Sequence, residues 1–397
     1  MREKHTIRLI LVLISFFALS TTFFGCVGGV EPRNIAMTNS ALYDLDENGI
    51  YHVILEIIDP SNSGDGRGAQ DTANKRTSII RNGEGITLTQ AVTSVADKVD
   101  KTLFGTHNRV RFITERMAKN ENAMNEFIDF VIRNDEFDER PWLFIINHTE
   151  IIKLFNTSVG LHSLLGEYVD GVIRTRKNNS GYGVYVETLK YIIDSMDDGV
   201  EAVLGRITLV DSQKPNQDEN YEINFDGLAA FKNNKFVGYL DQNAALAYNI
   251  INGYLKKTRL TIEEENFSVA VELSNTSTEI KTHVKDGNLT IDVDIKGKIK
   301  ITELLKSAKI KNTTNIKFDI EGAFEKALNS IIEKSLLTAR DGINSDIYGF
   351  GRRIKIIGSA EFNRILAYQN YYSLLEFNRM NIDLQVTNLG DFDMFFN

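Results

Sequence analysis

The start of the chain constrains it most. "MREKHTIR" carries Arg2, Lys4 and Arg8, and the 16 residues "LILVLISFFALSTTFF" that follow are all apolar or small. A membrane-spanning helix needs about 20 apolar residues. A shorter run behind a basic lead reads instead as a secretory signal. The run ends at Gly25-Cys26, and Cys26 is the one cysteine in 397 residues. A secreted chain with a single thiol forms no internal disulfide, so the thiol needs another reason to be there.

The ending "FFGC" resembles a bacterial lipobox, in which the thiol receives a diacylglyceryl group and the preceding peptide is removed. Phe23 stands where a leucine is usual, and Phe24 where a small residue is usual. Cys26 is thus the expected lipidation site, with residues 1–25 as signal peptide. Acyl chains would hold it at a bilayer, each buried methylene contributing about 0.8 kcal/mol. Cleavage takes 25 of the 397 residues and leaves 372; it removes Arg2, Lys4 and Arg8 against Glu3, so the net charge of −9 becomes −11. An acidic chain is a poor partner for nucleic acid and has no broad electrostatic grip on anionic lipid. Attachment is therefore expected through the lipid and through protein partners. An apolar fraction of 42% suffices for an ordinary core.

"YDLDENGIYHVILEII", residues 43–58, places Asp44, Asp46, Asn48 and Gly49 at positions 1, 3, 5 and 6 of a calcium loop. Position 12 is Leu55, with Glu56 one residue late, and the flanks are β-rich rather than helical. The stretch reads as a hairpin turning at Asn48-Gly49. The six histidines, His5, His52, His107, His148, His162 and His283, offer no metal-ligand spacing. "DPSNSGDGRGAQDTANK" (59–75) is an exposed loop without the phosphate-cradling pattern. Glu263, Glu264 and Glu265 read as a solvated strand start, and Tyr371-Tyr372 as packing. No nucleophile, base and electrophile stabiliser assemble, so the residues point away from an enzyme and to no cofactor or metal.

Helical spacing is expected over 87–104, 117–134, "HTEIIKLF" with Thr149 as N-cap, 184–197, 321–340 and "FNRILAYQNYYSLLEF". "RVRFI" (109–113) and the continuous apolar run "PWLFIIN" (141–147) read as a parallel strand pair joined through a helix. "YEINFDGLAAF", "KNN" and "KFVGYL" form a hairpin, after which Asp241 caps a helix ended by Gly253. Three β-patterned runs follow, "NFSVAVEL", "TEIKTHV" and "NLTIDVDIKGKIKI", with a turn at Asp286-Gly287. "NIDLQV" (381–386) closes as a strand with Ile382, Leu384 and Val386 on one side. The fold class is α+β (mixed α/β), multi-domain, with mixed sheets packed by amphipathic helices. The expected division is 26–200 as an N-terminal α/β domain, 201–258 as a small middle domain and 259–397 as a C-terminal α+β domain.

Taken in order, six segments resemble the C subunit of spore germinant receptors, the Ger(x)C family. They are "FFGC", "DLDENGIYHVILEIIDP", "RNGEGITLTQAVTSVADKV", "NRVRFITERMAKNENAMNEFIDFVIRNDEFDERPWLFI", "GLAAFKNNKFVGYLDQNAALAYNIING" and the helix running into "NSDIYGFGRRI" before a last strand. The chain departs from the family after Cys26, where "VGGVEPRN" replaces an aromatic and charged cluster, and after Gly351, where it is less charged. The resemblance implies a three-domain lipoprotein on the outer face of the inner spore membrane, assembled with integral-membrane A and B subunits, sensing nutrients and doing no chemistry. Gly349-Phe350-Gly351 reads first as a plain helix C-cap without a partner contact, with a structurally required turn as the alternative. A stand-alone lipid-anchored solute-binding or envelope-remodelling protein remains the second reading of the whole chain.

Overall fold

In the computed structural model, the described residues are 34–388 apart from 59–77, 135–139, 213–220, 307–312, 361–370 and positions 158, 160–161, 163, 266, 286–287 and 358–359. The loop expected at 59–75 and the turn at Asp286-Gly287 therefore lie outside them, as does Cys26.

The first half of the chain contains β1 (Ile35–Leu45), β2 (Tyr51–Ile58), β3 (Ser78–Gly85), α1 (Leu88–Ala96), β4 (Thr102–Phe104), β5 (Val110–Thr114), α2 (Glu115–Ala118), α3 (Glu121–Arg133), β6 (Trp142–Ile146), α4 (Ile151–Phe155), α5 (Leu165–Arg176), β7 (Val186–Glu187) and α6 (Thr188–Ser195). β8 (Val203–Asp211), β9 (Tyr221–Lys232) and β10 (Lys235–Leu240) follow and continue the same sheet, whose order is β10-β9-β8-β6-β5-β1-β2-β3. β4 joins at β1 and β7 at β6. β1, β5, β6 and β8 run parallel, as the two apolar runs predicted for β5 and β6.

Period-two alternation sends successive residues of these strands to opposite faces. Leu42, Phe112 and Phe144 face one core with α4 and α5 residues Leu154, Leu165 and Val169. Ala41, Tyr43, Ile113, Leu143 and Ile145 face the other, with Val95 of α1 and Phe127 of α3. A sheet covered on both faces leaves no polar face in its central strands.

After α7 (Gln242–Ile251) a second sheet forms from β11 (Lys257–Glu264), β12 (Phe267–Lys285), β13 (Asn288–Lys306) and β14 (Leu375–Asn388), in that order. α8 (Thr313–Leu337), a π-helical turn over Thr338–Ile343 and α9 (Phe350–Ile357) lie between β13 and β14. Phe324, Leu328, Ile332 and Leu336 of α8 join one core with Val293, Ile295 and Leu384 of the sheet. The opposite face is solvated, with Lys296, Lys298 and Lys300 exposed along β13. The outer edge of β14 is closed by α8: Leu384 N donates to Glu325 Oε1 at 2.9 Å and Val386 N to Glu321 Oε1 at 2.7 Å. Two carboxylates four residues apart on a helix thus meet two amides two residues apart on a strand. They satisfy donors that an open edge would leave to another chain.

The structure corrects several expected boundaries. The helix predicted over 87–104 stops at Ala96, because Thr102–Phe104 pairs with the first residues of β1. The span 117–134 breaks at Asn120, whose side chain caps α3 by accepting from Ala123 N. Asn147, not Thr149, caps the turn before α4. β11 was not anticipated, and β12 joins two expected runs across a register shift between Ser274 and Ser277, where Asn275 has φ 51°. Leu375–Phe377, expected in a helix, begins β14. The hairpin at Asn48-Gly49 forms as read, with φ +77° at Gly49, and Asp241 caps α7 through Ala244 N.

Glu56, one residue late for a calcium loop, fixes the fold instead. It is fully buried, and it accepts from Ser40 Oγ and Ser78 Oγ at 3.0 Å. Leu165 N and Gly166 N at the start of α5 donate to its two oxygens at 2.8 and 3.2 Å. α5 has no side-chain cap of its own, so a carboxylate from a distant strand meets the orphan amides and the positive helix end. Glu56→Ala is expected to destabilise the protein by about 3 kcal/mol, since it strips two amides and two hydroxyls of their buried acceptor. Glu56→Gln should cost less. Urea midpoints equal to wild type for Glu56→Ala would refute this role.

Candidate functional site

Cys26 lies outside the described residues, which begin with Asn34 just before β1. Asn34 is eight positions beyond Cys26, a covalent reach of at most about 28 Å. β1 sits between β5 and β2, inside the sheet. Because β1, β5, β6 and β8 run parallel, Ile35, Val110, Trp142 and Val203 all begin their strands at the same end.

The acidic turn after β1 does not gather its carboxylates. Asp46 Oδ1 accepts from Asn48 N and Ile50 N, both at 2.9 Å, and His52 Nε2 lies 3.1 Å from Asp46 Oδ2. The Ile50 amide, then His52, hold the Asp46 carboxyl down at about 2. Asp44 turns inward, buried, to Arg116 and the Thr114 hydroxyl. Among the described residues no three His, Cys, Asp or Glu side chains converge as a metal site.

The densest polar cluster joins the two sheets. Asp346 is buried, and its carboxylate accepts from Phe350 N at 3.1 Å, Gly351 N at 2.8 Å and Tyr371 Oη at 2.8 Å. Its carbonyl accepts from Glu201 N at 3.0 Å, just before β8, while Ser345 Oγ donates to Phe231 O of β9 at 2.6 Å. Arg352 of α9 reaches back to Asp194 of α6 at 3.0 Å and to Asp197 at 2.8 Å. Gly349-Phe350-Gly351 is therefore the entry to α9 rather than a C-cap; the π-helical turn before it ends at left-handed Asn344. Gly349 has φ +69°. A Cβ on Gly351 would lie 2.4 Å from Tyr371 Oη and 3.0 Å from Gly199 O. The motif is a contact point between chain segments as well as a turn, which its two glycines only partly announced.

Burial raises the Asp346 carboxyl despite its donors, and burial with the neighbouring Asp346 charge drives the Tyr371 phenol far above its usual range. The Tyr371 phenol thus keeps its proton and donates it to the Asp346 carboxylate. Glu201 is lifted from the usual 4.5 to about 7, first by burial, against the Asn233 amide that donates to it, and also by Asp346. Along α6 and its C-cap, Leu189, Ile193 and Met196 fall at i, i+4 and i+7 and are exposed by 43, 50 and 67%. Among the described residues no helix is long and apolar enough to cross a membrane.

Two family models match the chain. "Spore germination protein N-terminal domain" covers residues 28–209, and "Spore germination B3/GerAC like, C-terminal" covers residues 226–390. The putative spore germination protein YfkR of Bacillus subtilis (strain 168) is 22% identical over 320 residues, 79% of either chain. Spore germination protein KC of the same organism is 20% identical over 359 residues, 87% of this chain and 86% of its own. The crystal structure of the GerBC protein shares the fold, with a TM-score of 0.56 at 16% identity, over 87% of this chain and 96% of that one.

The raised Glu201 carboxyl sets a pH test. The folded state binds this proton more tightly than the unfolded state does. Its contribution is thus complete below about 4.5 and is lost as pH rises through about 7. Stability should fall by about 2 kcal/mol across that window, allowing for partial solvent screening. Glu201→Gln should flatten the profile, read from urea midpoints between pH 4.5 and 7.5. An unchanged slope in that variant would remove Glu201 from the junction's titration.

Proposed function

The chain belongs to the GerAC-like spore germination protein family, and on that premise we propose that it is the lipid-anchored, non-catalytic C subunit of a nutrient germinant receptor. In this reading Cys26 carries the lipid, the chain sits on the outer face of the inner spore membrane, and it assembles with integral-membrane A and B subunits. The observation that carries it is the pairing of both family models in order across 28–390, the first starting two residues after Cys26. The short covalent reach from Cys26 to β1 supports a body held close to the bilayer. Tethering raises the local concentration of every membrane neighbour, so modest contacts suffice for a complex. The exposed stripe of Leu189, Ile193 and Met196 supplies apolar surface of the kind such contacts bury.

Capture of the lipidated protein from dormant-spore membranes should recover two polytopic partners. Recovery of the protein alone, with tight binding of a small solute, would favour the stand-alone binding protein. Cys26→Ala should release the protein from the membrane fraction or leave uncleaved precursor on a denaturing gel. Normal processing and full membrane retention in that variant would overturn the anchor.

A further inference from the structure

A cavity of about 210 Å³ opens between the first sheet and the end of α7. It lies at the sheet end where β1 and β6 begin, with Trp142 at its rim. Its frame is fixed by backbone contacts. Asn249 Nδ2 donates to Gly181 O and Gly183 O at 2.8 and 2.9 Å, and Asn249 O accepts from Tyr254 N and Leu255 N. A Cβ on Gly181 would press within 2.7 Å of Leu246 and Leu255, and one on Gly183 would lie 2.4 Å from Tyr185 Oη. The 180–183 loop and the end of α7 are therefore locked together around preformed space.

The walls are aromatic and aliphatic, from Tyr185, Tyr248, Val186 and Leu255, while Lys177, Lys190 and Glu187 supply charge. Lys190 is paired to Asp194, which Arg352 also holds. Lys177 is different. Its ammonium sits 4.9 Å from the centroid of the Trp142 ring, and among the described residues no carboxylate lies within ion-pairing distance of it. A cation parked on an aromatic face at the mouth of an apolar cavity is a site for an anion whose body fills the cavity. The volume is below the roughly 300–1,000 Å³ of pockets for drug-sized ligands, so the occupant is metabolite-sized.

We infer that this cavity binds a small organic carboxylate with an aromatic or branched apolar body, its carboxylate at Lys177 and its body between the tyrosines. The inference goes beyond the receptor reading and holds whether the chain works in a complex or alone. Glu187 on the same wall gives a free amino group on that carboxylate a place to sit.

Trp142 is the only tryptophan of the chain and lines this cavity, so its emission reports on an occupant there. The full chain in detergent is titrated with 3-phenylpropionate, phenylalanine, phenethylamine and 3-phenylpropanol, against empty micelles. One or both carboxylates should give a saturable change. Phenethylamine and the alcohol should not. Lys177 is exposed, so Lys177→Gln leaves the fold intact, which circular dichroism verifies. It should weaken carboxylate binding at least tenfold, while Lys177→Arg restores most of it. Amine or alcohol binding as tight as the carboxylates, no saturable change with any probe, or full affinity in Lys177→Gln would each overturn the assignment. These readouts need neither the lipid nor any partner, so their failure is separate from failure of the receptor reading.

Discussion

Asp346 has almost no contact with water, and the molecule arranges three chain segments around that fact. A buried charge left alone is expelled or neutralised; one that collects donors can stay. Here the donors are the first amides of α9 and the phenol of Tyr371, while the same residue's carbonyl receives the amide that precedes β8. Because those donors come from residues flanking both sheets, the position of the second sheet relative to the first is set by hydrogen-bond geometry. Arg352, anchored on Asp194 and Asp197, repeats the connection one residue further along α9. Gly199 and Gly351 permit it by letting two backbones approach where no side chain would fit.

Glu56 plays the corresponding part inside the first sheet, and the two carboxylates share a logic. Each accepts the first amides of a helix: Glu56 reaches α5 from 109 residues away, while Asp346 lies four residues before Phe350 of α9. A helix start that lacks its own Ser, Thr, Asp or Asn can then form only when the tertiary structure forms. Helix formation and packing become one cooperative event.

Strands whose pattern depends on burial alone could be read from the sequence. "WLFII" is apolar on both sides because both sides are covered, and Leu88–Ala96 and Phe324–Leu336 show their buried faces plainly. The failures have one cause, the long-range pairing of ambiguous segments. Residues 97–104 keep helical spacing, yet Leu103 is drawn into a strand beside Ala36. β11 hides because Thr258 and Leu260 are its only fully buried positions among charged neighbours. Asn275 looks like a turn and is a bulge within one long strand. The cavity was illegible for the same reason: Trp142, Lys177, Glu187 and Tyr248 are spread over more than a hundred positions and meet only once β7 pairs with β6 and the Asn249 clasp closes. The family membership, by contrast, rests on the order of segments, which a single sequence does display.

If the chain is anchored through Cys26 as proposed, its entry at an interior strand has a mechanical consequence. β1 is bonded to β5 in parallel and to β2 in antiparallel register, and its leading residues are further gripped by β4. A pull along the strand from its first residue loads those ladders together, in shear, instead of peeling them open one bond at a time as at a free edge. Forced detachment is governed by the unfolding barrier rather than by overall stability. A body hung from a fluctuating, swelling membrane by this strand would resist being unravelled by it.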